Sequence, residues 1–311
     1  MSTRRGNEAV GAAGHHNHAH GAGSSRSRLA IALALLSAFL VLEVVVGILA
    51  SSVALLADAG HMLVDVAALA LSLAAISIAA RPAGGSMTFG FRRVEILSAQ
   101  ANGLTLLLLA ALILFEAIRR LVEPPEVAGT AVLAVALAGI AVNLAAVAVL
   151  RGADRSSLNI EGSFQHVLTD LYAFIATAIA GLVILLTGFD RADAIAALVV
   201  AALMVRSGVR LVRASTRVFL EAAPEGVDPD EIGAAMAAVP CVVEVHDLHV
   251  WEVTSGFAAL SAHVLVAADV DCHDVRRGIE RMLAERFDLT HTTLQVDHAR
   301  AGRLLDVERK S

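Results

Sequence analysis

Six apolar stretches constrain this chain more than any other feature: roughly 29–50, 53–80, 94–118, 127–150, 160–187 and 193–213. Each suffices to cross a hydrocarbon core of about 30 Å at about 1.5 Å per helical residue. They predict a membrane α-helical bundle of six transmembrane helices, with both termini on one side. Arginine says which side. Arg4, Arg5, Arg26 and Arg28 precede the first span, Arg81, Arg92 and Arg93 separate spans 2 and 3, and Arg151 and Arg155 separate spans 4 and 5. Arg206, Arg210, Arg213 and Arg217 end the sixth, against Arg119, Arg120 and Arg191 on the other side. The positive-inside rule then puts both termini in the cytoplasm; a multi-pass protein of the cell inner membrane is expected.

Composition agrees: hydrophobic residues make up 57 % and charged residues 17 %, which excludes a disordered chain. Residues 1–28 are rich in Gly, Ala, Ser and His and read as a disordered cytoplasmic tail. They are not read as a cleaved secretory signal, because the apolar run that follows is too long. The six-helix transmembrane domain is expected over 29–217, a soluble domain over 218–300 and a short tail over 301–311. From residue 218 onward there are 17 acidic and 8 basic side chains. That balance argues against nucleic acid as a partner and is compatible with a metal cation. Asp228-Pro229-Asp230-Glu231 predicts a helix start, Val242–Thr254 and Phe257–Ala268 a hairpin, Asp271–Arg286 an amphipathic helix and Thr292–His298 a last strand. The order is αββαβ, with the helices on one face of the sheet. Cys241 and Cys272 show no pairing pattern and are expected as small buried hydrophobes in a reducing compartment.

Of the 12 histidines, two fall within spans: His61 and His166, each followed four residues later by an aspartate, Asp65 and Asp170. That spacing puts both side chains of a pair on one helix face. Counting from opposite ends of spans 2 and 5, both pairs lie about 12–15 Å deep, near the midplane. Ionisable groups at that depth cost about 2.5–3.5 kcal/mol each on insertion scales and imply function. A divalent cation relieves the repulsion between two carboxylates, and two imidazoles with two carboxylates suit tetrahedral Zn²⁺, with Cd²⁺ or Co²⁺ as related cargo. Mg²⁺ and Ca²⁺ prefer oxygen cages. The plainer reading is that each pair is structural hydrogen bonding. Metal binding needs deprotonated ligands, so a site opening first to one side and then the other would exchange metal for protons.

At these residues the chain resembles the cation diffusion facilitator family, bacterial zinc/cadmium/cobalt efflux branch. The resemblance runs from about 29 to 298 and rests on Ser52-Val53-Ala54-Leu55-Leu56-Ala57-Asp58-Ala59-Gly60-His61-Met62-Leu63-Val64-Asp65, Thr88-Phe89-Gly90-Phe91-Arg92-Arg93-Val94-Glu95-Ile96-Leu97 and His166-Val167-Leu168-Thr169-Asp170. His246-Asp247-Leu248-His249-Val250-Trp251 and Thr293-Leu294-Gln295-Val296-Asp297 extend it into the soluble part. It implies a homodimeric metal/proton antiporter whose transport site is His61, Asp65, His166 and Asp170, with His at position 61 accompanying zinc preference. It also implies a bundle of spans 1, 2, 4 and 5 with spans 3 and 6 beside it. The soluble domain would be metallochaperone-like and dimerising, with His246, His263 and Asp297 as cytoplasmic metal ligands, His273 as a further candidate and Zn²⁺ as a regulatory ligand. Gln295 stands where relatives often have His. The loop Arg151–Asn159 has no histidine; His15, His16, His18 and His20 cluster in the tail instead.

Asp58, three residues before His61, is either a proton-path group beside the site or a helix-start acid near the outer surface. Glu43, Glu95, Asn102 and Asn143 are expected to bond between helices. Two rival classes stand beside the transporter. An intramembrane zinc metalloenzyme lacks an HExxH helix here. A metal-gated channel or sensor would need an ion to leave faster than a tight four-ligand site allows.

Overall fold

The computed structural model describes residues 18–49, 53–123, 129–189 and 191–299. It contains α1 (His18–Leu49), α2 (Val53–Ala79), α3 (Val94–Val122), α4 (Gly129–Leu150), α5 (Leu158–Thr187) and α6 (Arg191–Phe219). All six carry a stretch long and apolar enough to cross a membrane. Helices α1, α2, α4 and α5 share one core through Leu36, Leu69, Val147 and Val167. Helices α3 and α6 pack beside it through Leu106, Ala110, Val200 and Met204. Lipid offers no hydrophobic drive for helices to associate, so close approach of small residues matters. Gly208 provides it: a Cβ there would stand 2.8 Å from Leu107 and 3.0 Å from the Gly103 carbonyl. Large apolar side chains such as Leu42, Leu112 and Phe115 point outward.

Two expectations for the bundle need correction. The tail expected to run disordered to residue 28 becomes helical at His18. Its Ser and Arg side chains bind the last turn of α4 and the connection to α5: Ser25 Oγ accepts from the Asp154 N–H at 2.9 Å, and Arg28 donates to the Val149 carbonyl at 3.1 Å. Polar residues that looked unstructured thus extend α1 beyond its apolar span. Asn159, expected in a loop, belongs to the first turn of α5.

The C-terminal domain contains α7 (Pro229–Ala237), β1 (Val242–Thr254), β2 (Phe257–Val266), α8 (Cys272–Phe287) and β3 (His291–His298). Asp228 caps α7 by accepting from the Asp230 N–H, with Pro229 in the first turn; Asp271 caps α8 by accepting from His273. Strands β1 and β2 pair antiparallel, β2 and β3 parallel, in the order β1-β2-β3. A parallel pair needs a crossover, which α8 supplies. Ile232, Met236, Ile279 and Leu283 cover the face made by Leu260, Ala262, Val264 and Val266. Each buried Ile, Leu, Met or Val among them contributes about 1.5–3 kcal/mol. Cys272 packs partly buried at this core, but Cys241 is exposed: it sits at φ 71° where the chain turns from α7 into β1, which contradicts its expected burial.

The β1–β2 turn reaches the helical bundle. Ser255 Oγ accepts from the Leu158 N–H at 3.0 Å, and Thr254 Oγ1 donates to the Arg92 carbonyl at 3.3 Å. Arg93 donates to the Val253 carbonyl at 3.3 Å and pairs with Glu221. The Arg92 guanidinium lies 4.6 Å from the Phe257 ring centre. The N-cap residue of α5, Ser157, makes no cap bond of its own; its hydroxyl donates to Glu95 at 3.3 Å. A free N–H of α5 is therefore satisfied from another domain.

Candidate metal centre

Helix α2 carries Asp65 and α5 carries His166 and Asp170. The three are buried, with exposures of 2 %, 0 % and 7 %. One ligand atom from each lies within 4.8 Å of the others. His166 Nε2 is 2.8 Å from Asp65 Oδ1 and 3.9 Å from Asp170 Oδ2. In a tetrahedral zinc site with bonds of about 2.0–2.1 Å, ligand atoms stand about 3.3 Å apart. The two measured separations bracket that value. His61 lies on α2 one turn before Asp65, but its side chain and that of Asp58 fall outside the described residues.

The site is held from its α5 end. Glu161, in the first turn of α5, accepts from Arg155 at 2.7 Å, from Gln165 at 2.7 Å and from Arg210 at 3.1 Å. The bond to Glu161 raises the pKa of the Arg155 guanidinium above its ordinary value. A carboxylate at a helix start also complements the helix dipole. Deeper in, Asn102 donates to Ser72 Oγ at 2.8 Å and Asn159 donates to the Ser72 carbonyl at 2.9 Å. The interhelical bond expected of Asn102 therefore forms. Asn143 instead donates within its own helix, to the Gly139 carbonyl at 3.1 Å. Ser72 and Asn159 escape a search for ionisable groups. The signal that finds them is their seven-residue offset from Asp65 and His166.

The soluble ligand set is arranged differently. His246 and His263 are direct partners across β1 and β2, with ring centres 5.4 Å apart. Asp297 sits opposite Leu265, where its carboxylate accepts from Gln295 at 2.9 Å. On β1, between His246 and His249, Asp247 at φ 55° lies in an irregularity, 3.3 Å from His249 and 4.0 Å from His263. These groups line the sheet face turned away from α7 and α8, and the side chains of His246 and His263 are both 44 % exposed. Among the described residues, three ligand types also meet at Asp271, Cys272 and His273, at the start of α8. The tail histidines His15, His16, His18 and His20 lie outside the described side chains.

Comparison with known proteins covers both parts. The profile of the cation efflux transmembrane domain matches residues 29–220, and that of the cation efflux protein cytoplasmic domain matches 224–299. A cadmium, cobalt and zinc/H(+)-K(+) antiporter of Bacillus velezensis is 37 % identical over 270 residues, covering 85 % of this chain and 86 % of that protein. The metal cation efflux system protein CzcD of Cupriavidus metallidurans is 42 % identical over 267 residues, covering 85 % and 84 %. The zinc transporter ZitB of Escherichia coli is 35 % identical over 264 residues, covering 84 % of each.

Proposed function

This chain belongs to the cation diffusion facilitator family of membrane metal transporters, and on that premise we propose that it moves Zn²⁺ out of the cytoplasm in exchange for protons. Its relatives carry the names of transporters and antiporters rather than enzymes. The observation that supports the reading best is the convergence of Asp65, His166 and Asp170 from two helices, buried at membrane depth. His61 is the fourth ligand of a tetrahedral His2Asp2 site, and Cd²⁺ and Co²⁺ are further cargo. Asp58 serves the proton path. Both termini lie in the cytoplasm, the bilayer is the cell inner membrane, and the C-terminal domain pairs two copies. On that domain His246, His263 and Asp297, with His273 as a further ligand, sense zinc.

The coupling has a local cause. The hydrogen bond between His166 Nε2 and Asp65 Oδ1 holds one proton between two ligand atoms. Both atoms cannot face a metal ion while that proton is between them. Zinc entry therefore expels at least one proton, and a proton returning from the other side expels zinc. Alternating access converts this competition into exchange.

The test is metal-specific uptake by vesicles carrying the intact protein, beside Asp65→Ala, with and without a pH gradient. Zinc flux that follows the gradient and disappears in Asp65→Ala is expected. Flux indifferent to the gradient refutes proton coupling, and flux surviving in Asp65→Ala refutes the site.

A further inference from the structure

Two turns from the ion site, on the side that carries the C-terminal domain, a second polar cluster joins three helices. Ser72 follows Asp65 by seven residues on α2, and Asn159 precedes His166 by seven on α5. Seven residues nearly restore a helix face, so Ser72 and Asn159 share the faces that carry the ligands, displaced by about 10 Å along the axis. The displacement is the same on both helices because they run antiparallel. It points toward the end where α2 finishes and α5 begins, where Ser255 caps Leu158.

We infer that Ser72, Asn102 and Asn159 form a latch that closes the route between the ion site and the C-terminal-domain side, and that transport requires this latch to open. The inference rests on the transport reading above. Three observations carry it. The hydroxyl of Ser72 accepts from Asn102 on α3 and its carbonyl accepts from Asn159 on α5, so one residue ties α2 to two neighbours. All three are sealed from solvent, at 0 %, 1 % and 0 % exposure. The Asn159 Oδ1 atom has no hydrogen-bond partner, nor has Ser98 Oγ one turn before Asn102.

The last point bears on opening. An unmet polar atom in a dry interior is costly, so a movement that hydrates it is favoured by that much. Separation of α2 from α5 would let water reach Asn159 Oδ1 and Ser98 Oγ and lower the cost of opening. The bonds are neutral, so they break more readily than ion pairs at this depth. Polar groups continue outward from the latch: Ser98, then Glu95 with Ser157. They mark a path from the C-terminal-domain side to Asp65, with Ser72, Asn102 and Asn159 at its narrow point.

The test uses the full chain in vesicles, in a C241A/C272A background. Ser163, buried on α5 between Asn159 and His166, becomes the reporter as S163C. A charged, membrane-impermeant thiol reagent is added to one side at a time. Removing a hydrogen bond of ordinary net worth from the closed state should speed labelling from the C-terminal-domain side by about tenfold in Ser72→Ala and in Asn159→Ala. Labelling from the opposite side should not rise. In a second measurement, S72C/N159C bridged by a short, reducible bifunctional thiol reagent should lose zinc flux and regain it on reduction. Unchanged labelling, equal acceleration from both sides, or full flux in the bridged protein would each overturn the latch. Labelling does not depend on flux, so a latch failure is distinguishable from a failure of the transport reading, which Asp65→Ala reports separately.

Discussion

The chain presents histidine and aspartate twice, in two settings that differ in solvent. In the bundle, Asp65, His166 and Asp170 converge with almost no exposure. On the sheet, His246 and His263 stand side by side with 44 % of each side chain exposed, and Asp297 is engaged by Gln295. The same chemical groups would therefore meet a metal on different terms. In a dry bundle the ion must shed its water and the ligands their protons, so binding and protonation exclude each other. On an exposed sheet, water fills any vacant coordination position and the proton has bulk solvent to leave into. The first arrangement suits movement of cargo coupled to protons; the second suits reading out a concentration.

That contrast can be broken experimentally, beginning with the largest effect. His166→Ala should lower zinc flux by about 100-fold or more, since losing even an outer partner of a metal ligand costs 10–100-fold. His246→Ala with His263→Ala should leave flux at saturating zinc within about threefold while weakening zinc binding to the C-terminal domain, measured by titration of the full chain in Asp65→Ala. Equal losses from both sets would abolish the distinction between cargo site and sensor. Acidifying the loading side should weaken zinc loading, because protons compete for imidazole and carboxylate. Loading that stayed constant from pH 7.5 to about 5.5 would mean the ligands do not titrate against the ion. The smallest effect belongs to the junction between the two regions. Ser255→Ala removes the borrowed cap of α5 and should cost about 1 kcal/mol of stability, read as a modest fall in melting temperature. No change would show that water replaces the hydroxyl without loss.

Much of the site was legible because membrane depth makes charge conspicuous. His166 and Asp170 announce themselves four residues apart in an apolar run, as do His61 and Asp65, and the arginines at span ends order the helices. The C-terminal domain was legible from the Asp228-Pro229 helix start and from the alternation over Val242–Thr254 and Phe257–Ala268. Ser72 and Asn159 were not legible, because neutral polar residues are common in membrane helices and Asn159 stands next to a loop-like run. The capping role of Ser255 was equally hidden, since the N–H it accepts from lies 97 residues away in the chain. That Ser25 and Arg28 belong to α1 and find partners near the α4–α5 turn was likewise not legible.

Hydropathy and four-residue spacing determined from the chain alone that six helices are long and apolar enough to cross a membrane and that two of them carry a histidine and an aspartate on one face, because both properties are local and repeat along one helix. Only the tertiary structure decided that Asp65 meets His166 at 2.8 Å and that Ser72 holds Asn102 and Asn159. Those contacts depend on the rotation and depth at which antiparallel helices pack, and no single helix contains that information.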